Sequence, residues 1–126
     1  MSIQYTIACN GDALFVRTSG YDESLEEVEA YGNAIIRECL QCGAKRVLCD
    51  ETALEYRLST LDTFNIGKSL VSRIQNKPIT IAIACNPQFR EDARFFENVV
   101  VNRGLTLRMF PDVESAEIWL MNAHQD

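Results

Sequence analysis

Residues 79–85, Ile79-Thr80-Ile81-Ala82-Ile83-Ala84-Cys85, carry almost no polar side chain. A strand without a polar face is buried on both faces, which happens when a parallel sheet is covered by helices on either side. Pro78 keeps a preceding helix from running into the segment. No apolar stretch approaches the ~20 residues that a membrane-spanning helix needs. One interior strand of this kind demands parallel neighbours, and parallel neighbours demand helical crossovers.

The rest of the chain supplies them. Ile3 to Cys9 alternates, with Ile3, Tyr5, Ile7 and Cys9 on one side, as a half-buried strand does. Asn10-Gly11 is a strong hairpin signal, so Ala13 to Thr18 is expected as an antiparallel second strand. Ser24-Leu25-Glu26-Glu27 is a capping box, and Gly43 stops the helix that it opens. Leu25, Val28, Gly32, Ile35, Cys39 and Cys42 form the apolar face of that helix. Arg46 to Asp50 is a short strand, and Glu51 to about Leu58 is expected as a polar loop. A helix follows from about Thr60 to Gln75, with Leu61, Phe64, Val71 and Ile74 inward. After the strand over 79–85, Asn86-Pro87 starts a helix that Gly104 ends. Leu105 to Phe110 is the last strand, and Pro111-Asp112 opens the last helix, with Val113, Ala116, Trp119 and Leu120 on one face. His124, the sole histidine, sits in the tail. The expected fold is α/β: an N-terminal β-hairpin, then (αβ)3α, on a mostly parallel five-stranded sheet. We expect one domain over residues 1–126.

Charge narrows the partners. A net charge of −6 and a pI of about 4.8 disfavour nucleic acid and anionic membranes, since no dense Lys/Arg stripe offsets them. The N-terminus lacks a basic segment followed by an apolar run, so no signal peptide is read there. A cytoplasmic location is expected, with reduced thiols. The odd number of cysteines, five, suits free, packed thiols better than a closed disulfide framework.

Several groups of residues are candidates for chemistry. Cys39-Leu40-Gln41-Cys42 spells C-x-x-C, but at a helix C-terminus, where the dipole opposes a thiolate, so core packing is the expected role. In open α/β sheets ligands favour the carboxyl ends of strands. Asp50, Arg57, Ser59 and Asn86 are therefore the ligand-binding candidates. Ser59 and Thr60 open a helix and are also phosphosite candidates. Asp50 with Glu51 is the pair that an enzyme reading would use. Asp12, Asp22 and Glu23 are assigned to capping near helix starts. Phe95, Phe96, Val99, Val100 and Val101 exceed one apolar stripe, so that helix is either buried on two sides or meets a second copy in a homodimer. No metal or cofactor motif is found.

The element order, Pro78–Ala84, Phe95-Phe96-Glu97, Asn102-Arg103-Gly104, and Arg108-Met109-Phe110-Pro111-Asp112 with Ala116 and Trp119-Leu120 resemble the SpoIIAA-like group of the STAS superfamily. These small domains are similar in fold to bacterial anti-sigma-factor antagonists. The resemblance implies a hairpin-led βα domain without catalysis, acting as a regulatory or binding module for a protein partner or a small, partly apolar ligand. It also implies a phosphorylatable Ser at the start of the helix after the third strand. Here Arg57-Leu58-Ser59-Thr60-Leu61-Asp62 stands in place of that group's Asp-Ser-Ser-Gly-like turn. The related CRAL-TRIO fold implies an apolar ligand instead.

Overall fold

The computed structural model describes residues 2–122; His124, Gln125 and Asp126 lie outside the described residues. Five strands form one sheet in the order β1-β2-β3-β4-β5: β1 (Ile3–Asn10), β2 (Ala13–Asp22), β3 (Arg46–Tyr56), β4 (Thr80–Cys85) and β5 (Thr106–Phe110). Only β1 and β2 are antiparallel. The helices are α1 (Leu25–Cys42), α2 (Thr60–Ile74), α3 (Arg90–Val101) and α4 (Val113–Asn122). A short 3-10 turn, Pro87–Phe89, precedes α3 and is capped by Asn86.

Strand β4 is buried throughout, as its composition demands. Its side chains alternate between two cores. Ile81 and Ile83 join Leu14, Val16, Val47 and Cys49 beneath α1, α2 and α3. Ala82 and Ala84 join Leu48, with Ala116 and Leu120 of α4, on the other face. Much of the apolar excess of α3 is taken up inside the chain. Val99 and Val100 lie against Gly67 of α2, where an added Cβ would come within 2.7 Å of Val99 Cγ1. Phe96 packs on the sheet-side core, and Val101 alone of the valines is exposed.

Several expectations need correction. The hairpin turn is Gly11-Asp12, since Asn10 pairs with Ala13, and only Gly11 takes a positive φ, of 66°. Strand β2 runs on to Asp22 because β3 pairs along its second half. Gly20 is required there: its φ is 96°, and a Cβ would strike the Ser2 carbonyl oxygen. Ser24 caps α1, accepting from Glu27 N at 3.3 Å, but the Glu27 carboxylate does not reach back. It accepts from Ile3 N at 3.2 Å, satisfying the open edge of β1. Leu61 sits in the exposed first turn of α2 and is 68% exposed. Asp12 lies in the hairpin turn and pairs with Arg46 at 2.6 Å, rather than starting a helix.

The thiols also depart from expectation. Cys9 and Cys42 form a disulfide with their Cα atoms 6.7 Å apart, joining the end of β1 to the last turn of α1. Cys39, Cys49 and Cys85 are free and buried. The two halves of the C-x-x-C sequence therefore differ: Cys39 packs in the core and donates to Ala44 O, while Cys42 is tied to an edge strand.

The largest correction concerns residues 51–58. They are not a loop up to Tyr56 but the second half of β3. The β2–β3 register moves from Arg17↔Asp50 to Ser19↔Ala53. One residue of β2, Thr18, thus stands opposite Glu51 and Thr52, which is a β-bulge. Asp50 holds it by accepting from Thr52 N and Thr52 Oγ1 at 3.1 and 2.6 Å. The bulge breaks the period of two, so the segment loses the alternation that marks a strand.

Candidate functional site

The bulge has a chemical consequence. In a regular strand residues five apart face opposite sides. With one residue inserted, Glu51, Leu54 and Tyr56 all face the helices α1–α3, and the Tyr56 hydroxyl donates to Glu51 Oε1 at 2.6 Å. From α1, the buried Tyr31 donates to Glu51 Oε2 at 2.8 Å. Tyr31 has one hydroxyl proton, so the 2.7 Å contact with Thr18 Oγ1 must run from Thr18 to Tyr31. The carboxylate is the common acceptor of a buried chain: Thr18 to Tyr31 to Glu51, and Tyr56 to Glu51.

Glu51 is 7% exposed, and no lysine or arginine forms an ion pair with it among the described residues. Burial raises its pKa above the usual carboxylate range, and the tyrosine hydrogen bonds only partly oppose this. Burial, and then the charge of Glu51, push both tyrosines well above the ordinary phenol value. Asp22, at the end of β2, is also raised by burial, partly offset by the N–H groups of Arg57 and Leu58. Its Oδ1 accepts from them at 2.6 and 3.1 Å, clamping the crossover into α2. That clamp, rather than helix capping, is the role of Asp22.

These groups line a cavity of about 150 Å³ between the sheet and α1–α3. Ile35, Ile66, Leu70, Ile81, Ile83 and Phe96 make most of its wall apolar. At the carboxyl ends of the parallel strands it meets Glu51, Tyr31, Tyr56 and Asp22; at the other end it reaches Cys39, Ile74 and Arg73. An apolar hollow with a few convergent polar groups is the usual form of a small-molecule site.

The ligand candidates read from sequence occupy separate surroundings. Asp50 lies mid-strand, on the face opposite Glu51, within 3.9 Å of the exposed Arg17 rather than pairing with Arg57. Asp50 and Glu51 therefore do not form a pair. The Arg57 guanidinium lies 3.9 Å over the Tyr21 ring and pairs with Glu55 at 2.9 Å and Glu23 at 3.8 Å. Ser59 caps α2, accepting from Asp62 N at 3.1 Å, and both Ser59 and Thr60 are exposed. Asn86 accepts from Gln88 N at 3.0 Å. No hydrogen bond or ion pair links Asp50, Arg57, Ser59 and Asn86 to one another among the described residues. Sequence reasoning missed Tyr31 and Tyr56. Tyr31 sits between Val28 and Ile35 at helical spacing, and that was the available signal.

Among the described residues no group of three His, Cys, Asp or Glu side chains is placed to hold a metal ion. No described helix is long and apolar enough to cross a membrane.

No family model and no curated protein matches the chain. Solved structures do. An anti-sigma factor antagonist from Mycobacterium paratuberculosis aligns over 96% of each chain at 13% identity, with a TM-score of 0.61. An uncharacterized protein of the DUF3478 family with a SpoIIAA-like fold, from Shewanella loihica PV-4, aligns over 94% of this chain and 93% of its own at 21% identity and a TM-score of 0.56. The anti-sigma factor antagonist SpoIIAA in its unphosphorylated form aligns over 98% of this chain and 100% of its own at 12% identity and a TM-score of 0.52. The fold is thus SpoIIAA-like.

Proposed function

We propose that this chain is a non-catalytic binding module of the SpoIIAA-like kind that takes a small, largely apolar ligand between its sheet and α1–α3. The observation that carries the reading is the cavity of about 150 Å³, apolar along its wall and polar at one end through Glu51, Tyr31 and Tyr56. A cavity of that order lined by aliphatic side chains accommodates a benzene-sized molecule. The fold shared with anti-sigma factor antagonists supports a regulatory use of such binding, with a protein partner responding to the occupied state.

The test is a titration of the protein with benzyl alcohol, followed by amide NMR shifts. Shifts confined to residues around the cavity, lost in Ile35→Phe, are expected. An absence of shifts at saturating alcohol would end the reading.

A second reading has one observation behind it: the exposed Ser59 hydroxyl at the N-terminus of α2, with Thr60 beside it. A phosphate there meets free N–H groups and the favourable end of the helix dipole. Intact-mass analysis of the protein from its native host, with site mapping, tests it; unmodified Ser59 and Thr60 under all growth conditions would count against it.

A further inference from the structure

The cavity has a polarity along its length, and Glu51 defines it. Glu51 is a carboxylate more than nine-tenths buried, with no cation paired to it among the described residues. A buried charge is costly unless paired. Two tyrosine hydroxyls use one site on each of its oxygens, whereas a carboxylate has about four acceptor positions. Acceptor capacity therefore remains.

The surroundings share one sign. The lining residues at this end of the cavity include Asp22, Glu29 and Asp92 but no lysine or arginine. Arg57 is close in sequence, but its guanidinium is committed to Tyr21, Glu55 and Glu23. Arg73 lines the opposite end, where it donates to Ser69. Aromatic rings beside a carboxylate are a favourable setting for an ammonium ion, and Tyr31 and Tyr56 supply them. An anionic apolar molecule, such as a fatty acid or an aryl carboxylate, would meet repulsion at the same place.

We infer that the ligand of this cavity is a small apolar amine, its ammonium group on Glu51 beside Tyr31 and Tyr56 and its hydrocarbon part along Ile35, Ile83 and Leu70. The inference rests on the binding reading above and adds the charge and orientation of the ligand. The volume limits the hydrocarbon part to about one six-membered ring or an alkyl chain of similar bulk.

Three compounds with one ring and different heads test it: benzylamine, benzyl alcohol and benzoate, titrated at neutral pH by amide NMR shifts. Benzylamine should bind at least about tenfold tighter than benzyl alcohol, a difference of about 1.4 kcal/mol, and benzoate weakest. In Glu51→Gln, benzylamine should lose its advantage and bind no more tightly than benzyl alcohol does to the same variant. Nuclear Overhauser contacts from the benzylamine methylene to the Tyr31 and Tyr56 rings in the unaltered protein locate the head even should that variant fail to fold. Benzyl alcohol binding in the cavity as tightly as benzylamine would overturn the amine inference and leave the cavity reading standing. A selectivity that survives Glu51→Gln, or a methylene placed near Cys39 and Ile74, would overturn the assignment to Glu51. Silence from all three compounds would remove both readings.

Discussion

The two faces of the sheet solve opposite packing problems with the same strands. Beneath α4, β4 presents Ala82 and Ala84, both fully buried, and Ala116 from the helix is fully buried against them. Small residues bring the layers together, and Phe110 and Trp119 pack around them with ring centroids 5.6 Å apart. Beneath α1–α3, the same strand presents Ile81 and Ile83, yet the larger side chains leave a hollow. Volume on one side of β4 is therefore not what closes a layer. One face is closely packed with small residues, and the other, which holds the larger core, retains space and a buried acid.

The largest expected effect probes how the open face is held. The Cys9–Cys42 bridge closes a segment between residues 33 apart and pins α1 to β1. Loop-closure entropy puts its contribution at roughly 3 to 4 kcal/mol. Urea unfolding of Cys42→Ser, or of the reduced protein, should show a loss of that order; an unchanged midpoint would mean that α1 needs no tether.

The next contrast breaks the comparison directly. Ala84→Leu forces bulk into the tight face and should destabilise by about 3 kcal/mol. Ile35→Phe adds volume on the cavity side and should cost under about 1 kcal/mol, because space is available. Equal losses in denaturant melts would show that the hollow is filled by relaxation in solution.

A third prediction follows from protons. Glu51 binds its proton more tightly folded than unfolded, since burial raises its pKa. The folded state therefore holds more protons, and stability falls as pH rises from the ordinary glutamate range through the raised value. Asp22 acts in the same direction, and the exposed Asp112, whose pKa is lowered by its hydrogen bonds to Ser115, acts oppositely at more acidic pH. The other titratable groups facing Glu51 are Tyr31, Tyr56, Cys49 and Cys85, all raised by burial, with Asp50 across the sheet. Urea midpoints across about pH 4 to 8 should decline less steeply in Glu51→Gln than in the parent. Parallel profiles would show that Glu51 is solvated in practice.

The smallest effect compares two helix glycines. At Gly32 in α1 a Cβ meets nothing within 4 Å, so Gly32→Ala should gain about 1 kcal/mol from helix propensity. At Gly67 in α2 the Cβ would come within 2.7 Å of Val99 Cγ1, so the same change should gain nothing or lose about 1 kcal/mol. Thermal melts of the two variants separate an open helix face from a packed one.

Much of the fold was legible because it is local or periodic. Ser24, Ser59 and Asn86 each accept from a backbone N–H two or three residues on, as capping residues do. The site was less legible. Glu51 falls in a segment whose sequence predicts a polar loop, because the bulge shifts the apolar positions from Leu48 and Cys49 to Leu54 and Tyr56 without alternation. Nothing within residues 51–56 reports that β2 is present to pair with them.

By itself, then, the chain determined that 79–85 would be an interior strand, that helices would alternate with parallel strands, and where those helices begin. Hydrophobic period and caps act over a few residues, and a few residues suffice to read them. Only tertiary structure decided that Glu51, Tyr31, Tyr56 and Thr18 meet, that Cys9 finds Cys42, and that a hollow remains beneath α1–α3. Those outcomes depend on which distant segments lie side by side. A bulge, a disulfide and a cavity are properties of paired surfaces, and neither surface carries them alone.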